Sequence, residues 1–266
     1  MNNLLPPENP AAARAQTIVE KLLHTGTVTV DELAEQFDVS VATVRRDLVE
    51  LEQRGRLRRT HGGAVPIEPL LYEPFRYDSS FHEQMDRNLA EKRRIGLAAA
   101  ALIEPGETIS LTAGTTTTQV TRSLRPGANV TVVTNTVNVA MELSQRDDVR
   151  VFVAGGFLTG GWFSLVGAAT AQALSQFFVD KVFIGVDGID AQKGLTSLHP
   201  EEAAVIQVML RQARRRIVVA DHTKLGTVAT ALICPTAEVH QLITDSGATA
   251  AQLAPFREMG MEVLVV

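Results

Sequence analysis

At 266 residues, 45% hydrophobic and 21% charged, the chain is long enough for one large or two ordinary domains and too apolar to be mainly disordered or fibrous. Its formal net charge of -5 gives no general attraction to nucleic acid or anionic membrane, so any such binding has to come from a local patch. A single cysteine, Cys234, excludes an internal disulfide framework and a multi-cysteine zinc site, and reads as a buried structural thiol in a reducing compartment.

Residues 1–13 read as a flexible tail, without the basic start and long apolar run of a secretory signal. The most apolar stretch, 95–103, is too short to cross a bilayer, so the expectation is a cytoplasmic protein with no membrane part. From Arg14, Ile18, Leu22 and Leu23 recur at helical spacing, and Gly26 closes the run as a C-terminal cap. Thr29 and Glu32 stand in capping-box positions ahead of an apolar face of Leu33, Ala34 and Phe37. Ser40 then caps a third helix in which Val44, Leu48 and Leu51 fall at i, i+4 and i+7. Short helix, tight turn and longer helix make the helix-turn-helix pattern.

With that stripe turned inward, Ala42, Thr43, Arg45 and Arg46 lie on the other faces of the third helix. There a helix in a DNA major groove reaches base edges and phosphates. Beyond it "RLRRTHGGAV" carries Arg56, Arg58, Arg59 and His61 into Gly62 and Gly63, as in a basic hairpin, or wing, whose turn needs unusual backbone angles. The basicity is local: residues 39–63 hold six arginines against three acids, whereas residues 1–66 hold eight basic residues against nine acidic ones. Asp47 reads as the partner of a neighbouring arginine, and Arg54 as a helix cap or phosphate contact. The plainer alternative is a helical bundle with a solvated charged face, or one that serves only protein contacts. Residues 14–66 are thus expected to form a winged helix-turn-helix domain.

Residues 67–85, in a proline-bearing stretch with no consistent period, read as a linker. A helical segment from Arg87 then opens a larger α/β domain, 86–266. Seven apolar runs alternate there with helical patterns: "TISLTA", "VTVVTN", "VRVFVAGG", "VDKVFIGVDG", "RIVVADH", "HQLITD" and "MEVLVV". That alternation indicates a mostly parallel sheet covered on both faces. Ligands of such sheets lie beyond the carboxyl ends of the strands, where this chain places Gly114, Thr115, Thr116 and Thr117, then Thr134 and Asn135, Gly155 and Gly156, Asp187, Asp221 and Lys224. A small residue followed by threonines at a helix start suits an anion. Carboxylates and amides suit sugar hydroxyls and Lys224 suits phosphate, so a phosphorylated sugar is the natural occupant.

Each of these residues is also ordinary strand-end turn chemistry, and Glu202 at a helix start is explained by the helix dipole, with ligand contact as an addition. Trp162 reads as a lid over the pocket or as core, and His222 as a pocket neighbour. The six histidines have no paired metal-ligand spacing, so neither a metal nor a cofactor is expected.

The stretches "VDELAEQFDVSVATVRRDLVELEQRGRLRRTHGGAV", "AGTTT", "TNTVNVA", "GVDGID" and "ADHTKLG" together resemble the DeoR family of bacterial transcription regulators, over nearly the whole chain after the tail. The resemblance implies a repressor of carbohydrate-metabolism genes that binds double-stranded operator DNA. Its second domain would be related in fold to ribose-5-phosphate isomerase and would answer to a phosphorylated sugar. It assigns the phosphate to Gly114, Thr115, Thr116 and Lys224, and the sugar to Asn135 and Asp187. Many relatives carry an aspartate two positions before the glycine of "GTT", where this chain has Thr112. A homodimer or homotetramer is expected, because two half-sites match two-fold protein symmetry. The alternative is a sugar-phosphate isomerase with an accessory DNA-binding module, using Asp187, Asp190 and Lys193 or Lys224 for proton transfer.

Overall fold

The computed structural model describes residues 10–53, 56–66, 79–159 and 162–266 and divides into one unit spanning Met1–Tyr72 and another spanning Glu73–Val266. In the first unit, helix α1 (Pro10–Thr25) takes in the last four residues of the expected tail. Proline suits a first helical turn because the N–H it lacks would have no partner there. The helix closes on Gly26, whose N–H reaches the Leu22 carbonyl at 2.8 Å. A two-residue strand, β1 (Val28–Thr29), leads into α2 (Val30–Phe37), where Thr29 and Glu32 form the reciprocal capping box. Asp38 turns the chain in the left-handed region at φ 50. Ser40 then accepts the Thr43 N–H at 3.2 Å, opening α3 (Val41–Gln53). Ile18, Leu22, Leu33, Val44, Leu48 and Leu57 are each at most 1% exposed and form this unit's core.

The wing consists of β2 (Arg58–Thr60) and β3 (Gly63–Val65), with β1 added on the other side of β3 in an antiparallel sheet. Its glycine pair departs from expectation. His61 and Gly62 make the turn, Gly63 already pairs with Thr60, and neither glycine has left-handed angles. Gly63 is small because β1 lies against it: a Cβ there would stand 1.9 Å from the Val28 carbonyl oxygen. Arg54 and its expected role lie outside the described residues.

The second unit opens with α4 (Ser79–Asp86), so the last part of the expected linker is helical; residues 67–78 lie outside the described ones. Helix α5 (Leu89–Ala101) follows. The seven apolar runs become β4 (Thr108–Leu111), β5 (Val130–Thr134), β6 (Val149–Val153), β9 (Val179–Ile184), β12 (Ala213–Val219), β14 (Gln241–Thr244) and β15 (Glu262–Val265). All seven join one parallel sheet in the order β15-β14-β12-β9-β4-β5-β6. Between them run α6 (Thr115–Arg122), α7 (Val137–Leu143), α8 (Ala168–Leu174), α9 (Pro200–Arg211) and α10 (Ala250–Glu258).

Strand side chains alternate between two cores. Phe183, Ile217 and Val219 pack with Ile95, Val120 and Val139 of α5 to α7. Val182, Ile184 and Val218 pack with Leu174, Ile206 and Phe256 of α8 to α10. Burial on both faces is why the strands read as continuous apolar runs rather than alternating ones. Not foreseen were a hairpin of β7 (Phe157–Thr159) and β8 (Ser164–Val166), and a small antiparallel sheet of β10 (Gly188–Asp190), β11 (Gly194–Ser197) and β13 (Ala231–Cys234). Among the described residues no helix is long and apolar enough to cross a membrane.

The sheet order places the site. From β4 the chain winds one way through β5 to β6, and from β9 it winds the other way through β12 and β14 to β15. The connections after β4 and β9 therefore diverge, and a crevice opens where they part.

Candidate functional site

An open cavity occupies that crevice. The turn after β4 contributes Ala113, Gly114, Thr115 and Thr116, and the turn after β9 contributes Gly185, Val186 and Asp187. Gly114 holds φ +143, a conformation closed to residues with a Cβ, and no side chain caps the first turn of α6. Backbone N–H groups and the positive end of the helix dipole are therefore offered to an anion. Lys224, on a short 3-10 turn after β12, lines the same cavity. Asp221 holds that turn by accepting the Thr223 N–H at 3.0 Å and the Asn88 amide at 3.2 Å.

Ile206 and Ala220 add apolar surface, and the polar remainder of the lining is acidic and aromatic. Asp187 accepts the Leu198 N–H at 2.8 Å, and Ser197 Oγ lies 3.3 Å from Asp187 Oδ2 and 3.4 Å from Glu202 Oε2. Burial pushes Glu202 up to about 7, the Asp187 charge adds to the rise, and hydrogen bonds from Ser197 and Ser164 oppose it. Trp162 borders the cavity, its ring centre 6.4 Å from that of His199. Gln84 of α4 completes the rim. Its backbone carbonyl accepts a hydrogen bond from Lys92 Nζ. Lys92 is only 2% exposed, and burial brings its ammonium down to about 8, with Lys224 adding to the fall and Asp221 opposing it.

Of the residues expected at an effector site, Gly114, Thr115, Thr116, Asp187, Glu202 and Lys224 meet around this cavity. Five do not line it. The Thr117 hydroxyl turns back to the Gly114 carbonyl at 2.8 Å, and Thr134 spends its hydroxyl on the Leu111 carbonyl at 2.7 Å. Asn135, fully buried, donates to Ser164 Oγ at 3.0 Å and so reaches Glu202 only through that serine. Gly155 and Gly156 form the turn after β6, where the Gly155 carbonyl accepts from Thr170 at 2.7 Å. His222 is held by Asp245 at 2.8 Å instead of facing the cavity. Thr112 is fully buried and accepts the Gly185 N–H at 3.0 Å, so its hydroxyl braces the end of β4 against the end of β9.

Asp190 accepts the N–H groups of Gln192 and Lys193 in the β10–β11 turn, away from the cavity. Ser164, Ser197, Gln84 and Lys92 had no periodic or compositional signal. The serines sit in short strands, and burial of a lone lysine is unlike the residue type. Among the described residues no cluster suits a metal ion.

On the first unit, Ala42, Arg45 and Arg46 are exposed along α3, opposite the buried Val44, Leu48 and Leu51. Thr43 is half-buried and its hydroxyl shares a 2.9 Å hydrogen bond with Ser40. Asp47 takes Arg14 in two hydrogen bonds, at 2.5 and 3.1 Å, so its partner is an arginine of α1. Arg58 and His61 are exposed on the wing, and Arg56 is half-buried. Arg59 gives its side chain to Glu52 at 2.7 Å and its N–H to the same carboxylate at 2.9 Å, which ties the wing to α3.

Residues 14–69 match the model of the DeoR-like helix-turn-helix domain, and residues 87–246 that of the DeoR C terminal sensor domain. The putative aga operon transcriptional repressor of Escherichia coli O157:H7 is 33% identical over 95% of this chain and 93% of its own. The HTH-type transcriptional repressor GlcR of Bacillus subtilis is 33% identical over 95% of both chains. The glycerol-3-phosphate regulon repressor of Escherichia coli K12 is 32% identical over 88% of this chain and 90% of its own. Among solved structures, ribose 5-phosphate isomerase from Plasmodium falciparum overlaps 51% of this chain and 52% of its own at 16% identity and a TM-score of 0.36, too distant to bear on function. These relatives along the full length are regulators rather than enzymes, and the chain belongs to the DeoR family of transcriptional regulators.

Proposed function

We propose that this regulator represses carbohydrate-metabolism genes by binding double-stranded operator DNA, and that a phosphorylated sugar in the second unit changes that binding. Thr43, Arg45 and Arg46, with Ala42 beside them, read the major groove, while Arg56, Arg58, Arg59 and His61 of the wing contact phosphates. A homodimer or homotetramer in the cytoplasm presents two reading helices to two half-sites. Residues 14–66 bind DNA and residues 86–266 sense the effector, joined by 67–85, whose helical end adds Gln84 to the cavity.

The observation that carries the effector reading is the pairing of two chemistries around one cavity. Its lining includes the uncapped start of α6 and Lys224 together with the linked group of Asp187, Ser197 and Glu202. An anion bonded to a polyhydroxylated body suits both at once. Screening phosphorylated sugars by thermal denaturation tests it. A specific ligand at a hundred times its Kd stabilises the sensing unit by about 2.7 kcal/mol, which for a domain of this size raises Tm by roughly 5–10 °C. Unphosphorylated counterparts should leave Tm unchanged, and a panel in which none raises it would remove the effector assignment.

A further inference from the structure

The acidic side of the cavity contains a row of oxygens whose protons do not add up when both carboxyl groups are ionised. Ser197 Oγ accepts the His199 N–H at 3.1 Å and lies 3.3 Å from Asp187 Oδ2 and 3.4 Å from Glu202 Oε2. A serine hydroxyl has one proton to give. With two carboxylates, one of those oxygen pairs would set lone pair against lone pair, in a place where Ser197 is only 2% exposed. The Leu198 N–H supports negative charge on Asp187 at 2.8 Å. Ser164 is a further donor to Glu202, and the row itself is completed when Glu202 carries a proton and donates to Ser197 while Ser197 donates to Asp187.

We propose that Glu202 enters the effector complex as a neutral carboxylic acid, donating a hydrogen bond to an oxygen of the bound sugar phosphate beside an ionised, accepting Asp187. This rests on the sugar-phosphate reading of the cavity and narrows it. One donor and one acceptor side by side fit neighbouring hydroxyl or carbonyl oxygens. An ammonium in the same place would draw both groups into their charged forms, so phosphates of neutral sugars are favoured over those of amino sugars.

The surroundings agree. Burial and the Asp187 charge both disfavour the Glu202 carboxylate. Strands β8 and β11 bring Ser164 and Ser197 to it and no charged group, and α8 has none. Asp180 and Lys181 of β9 and Arg214, Arg215 and Arg216 of β12 stand at the opposite ends of their strands, in ion pairs with one another or with Glu107, Glu262 and Glu238. Cys234 of β13 is buried and uncharged. Lys224 on the cavity wall, with Lys92 and Asp221 beside it, and the start of α9 with His199 and Glu201 supply the remaining titratable groups. The helix start favours a carboxylate, and desolvation together with Asp187 outweighs it.

Calorimetric titration of the full chain with neutral sugar phosphates, from about pH 6 to about pH 9, tests this. The wild-type affinity should fall above pH 7, approaching tenfold per pH unit, with uptake of about one proton per ligand above pH 8. Glu202→Gln, a permanently neutral donor, should keep the affinity seen at low pH and lose that decline. The ligand's own ionisation near pH 6 acts on both proteins alike, so their difference reports residue 202. A flat wild-type profile without proton uptake would overturn the inference, even where the variant fails to fold. So would a tenfold weaker Glu202→Gln, or an amino-sugar phosphate binding better than its hydroxyl counterpart. If no phosphorylated sugar binds at any pH, the effector reading itself falls and takes this inference with it.

Discussion

The two adjacent glycines of the wing should respond oppositely to the same substitution. In Gly63→Ala the new methyl group would stand 1.9 Å from the Val28 oxygen and 2.9 Å from Thr29 Cα, both backbone atoms that cannot rotate away. Relief requires β3 to part from β1, which gives up the Val28–Ala64 and Thr29–Gly63 pairings. At about 1 kcal/mol per lost hydrogen bond, and more for groups left buried without a partner, the cost is about 2–4 kcal/mol. A unit of this size is held by only about 3–8 kcal/mol. In Gly62→Ala nothing lies within 4 Å and the backbone is not left-handed, so stability should hold or rise by up to about 1 kcal/mol. Urea unfolding of the full chain, followed by far-UV circular dichroism, separates the outcomes, with the sensing unit's transition as an internal reference. Equal effects at the two positions, or greater sensitivity at Gly62, would refute the account of the wing.

Three further outcomes follow from the same geometry. Arg45→Ala and Arg46→Ala should each weaken binding to the operator, and any loss of a phosphate contact should lower the slope of log affinity against log salt by about 1, measured by fluorescence anisotropy. Lys92 has its folded-state value lowered to about 8 from 10.5. The unfolded chain then binds more protons between those values, so the lysine's contribution makes stability rise with pH across that window. Lys92→Met should flatten that rise in chemical denaturation at pH 8 and above. Burial pushes the Cys234 thiol up to about 12, so an alkylating reagent should leave it unmodified in the folded protein and react only after denaturation.

How much of this could be read beforehand depended on whether a local rule was at work. The capping box at Thr29 and Glu32, the cap at Gly26 and the stripe of Val44, Leu48 and Leu51 are local, and each became the element its pattern announced. The seven sheet strands were legible because burial on both faces makes an unbroken apolar run. Strands β10, β11 and β13 are three or four residues long, too little for a period to register, and β11 and β13 pair across more than thirty positions. The turns after β4 and β9 could be placed at a ligand site from sheet topology alone. Topology did not separate Thr116, which lines the cavity, from Thr117 and Thr134, whose hydroxyls are spent on backbone carbonyls. The link through Ser164 and Ser197 joins residues from five segments, and only the folded chain brings them together.

The central claim is that the cavity beside α6 governs the DNA affinity of α3. It is tested most directly by titrating a fluorescent fragment of the protein's own promoter with the full chain, with and without the phosphorylated sugar found by thermal screening. The account predicts a change in DNA affinity of at least several-fold in the wild type, and little or none in Lys224→Ala at the same ligand concentration. A ligand that binds the cavity but leaves promoter affinity the same, or a shift that persists undiminished in Lys224→Ala, would contradict it.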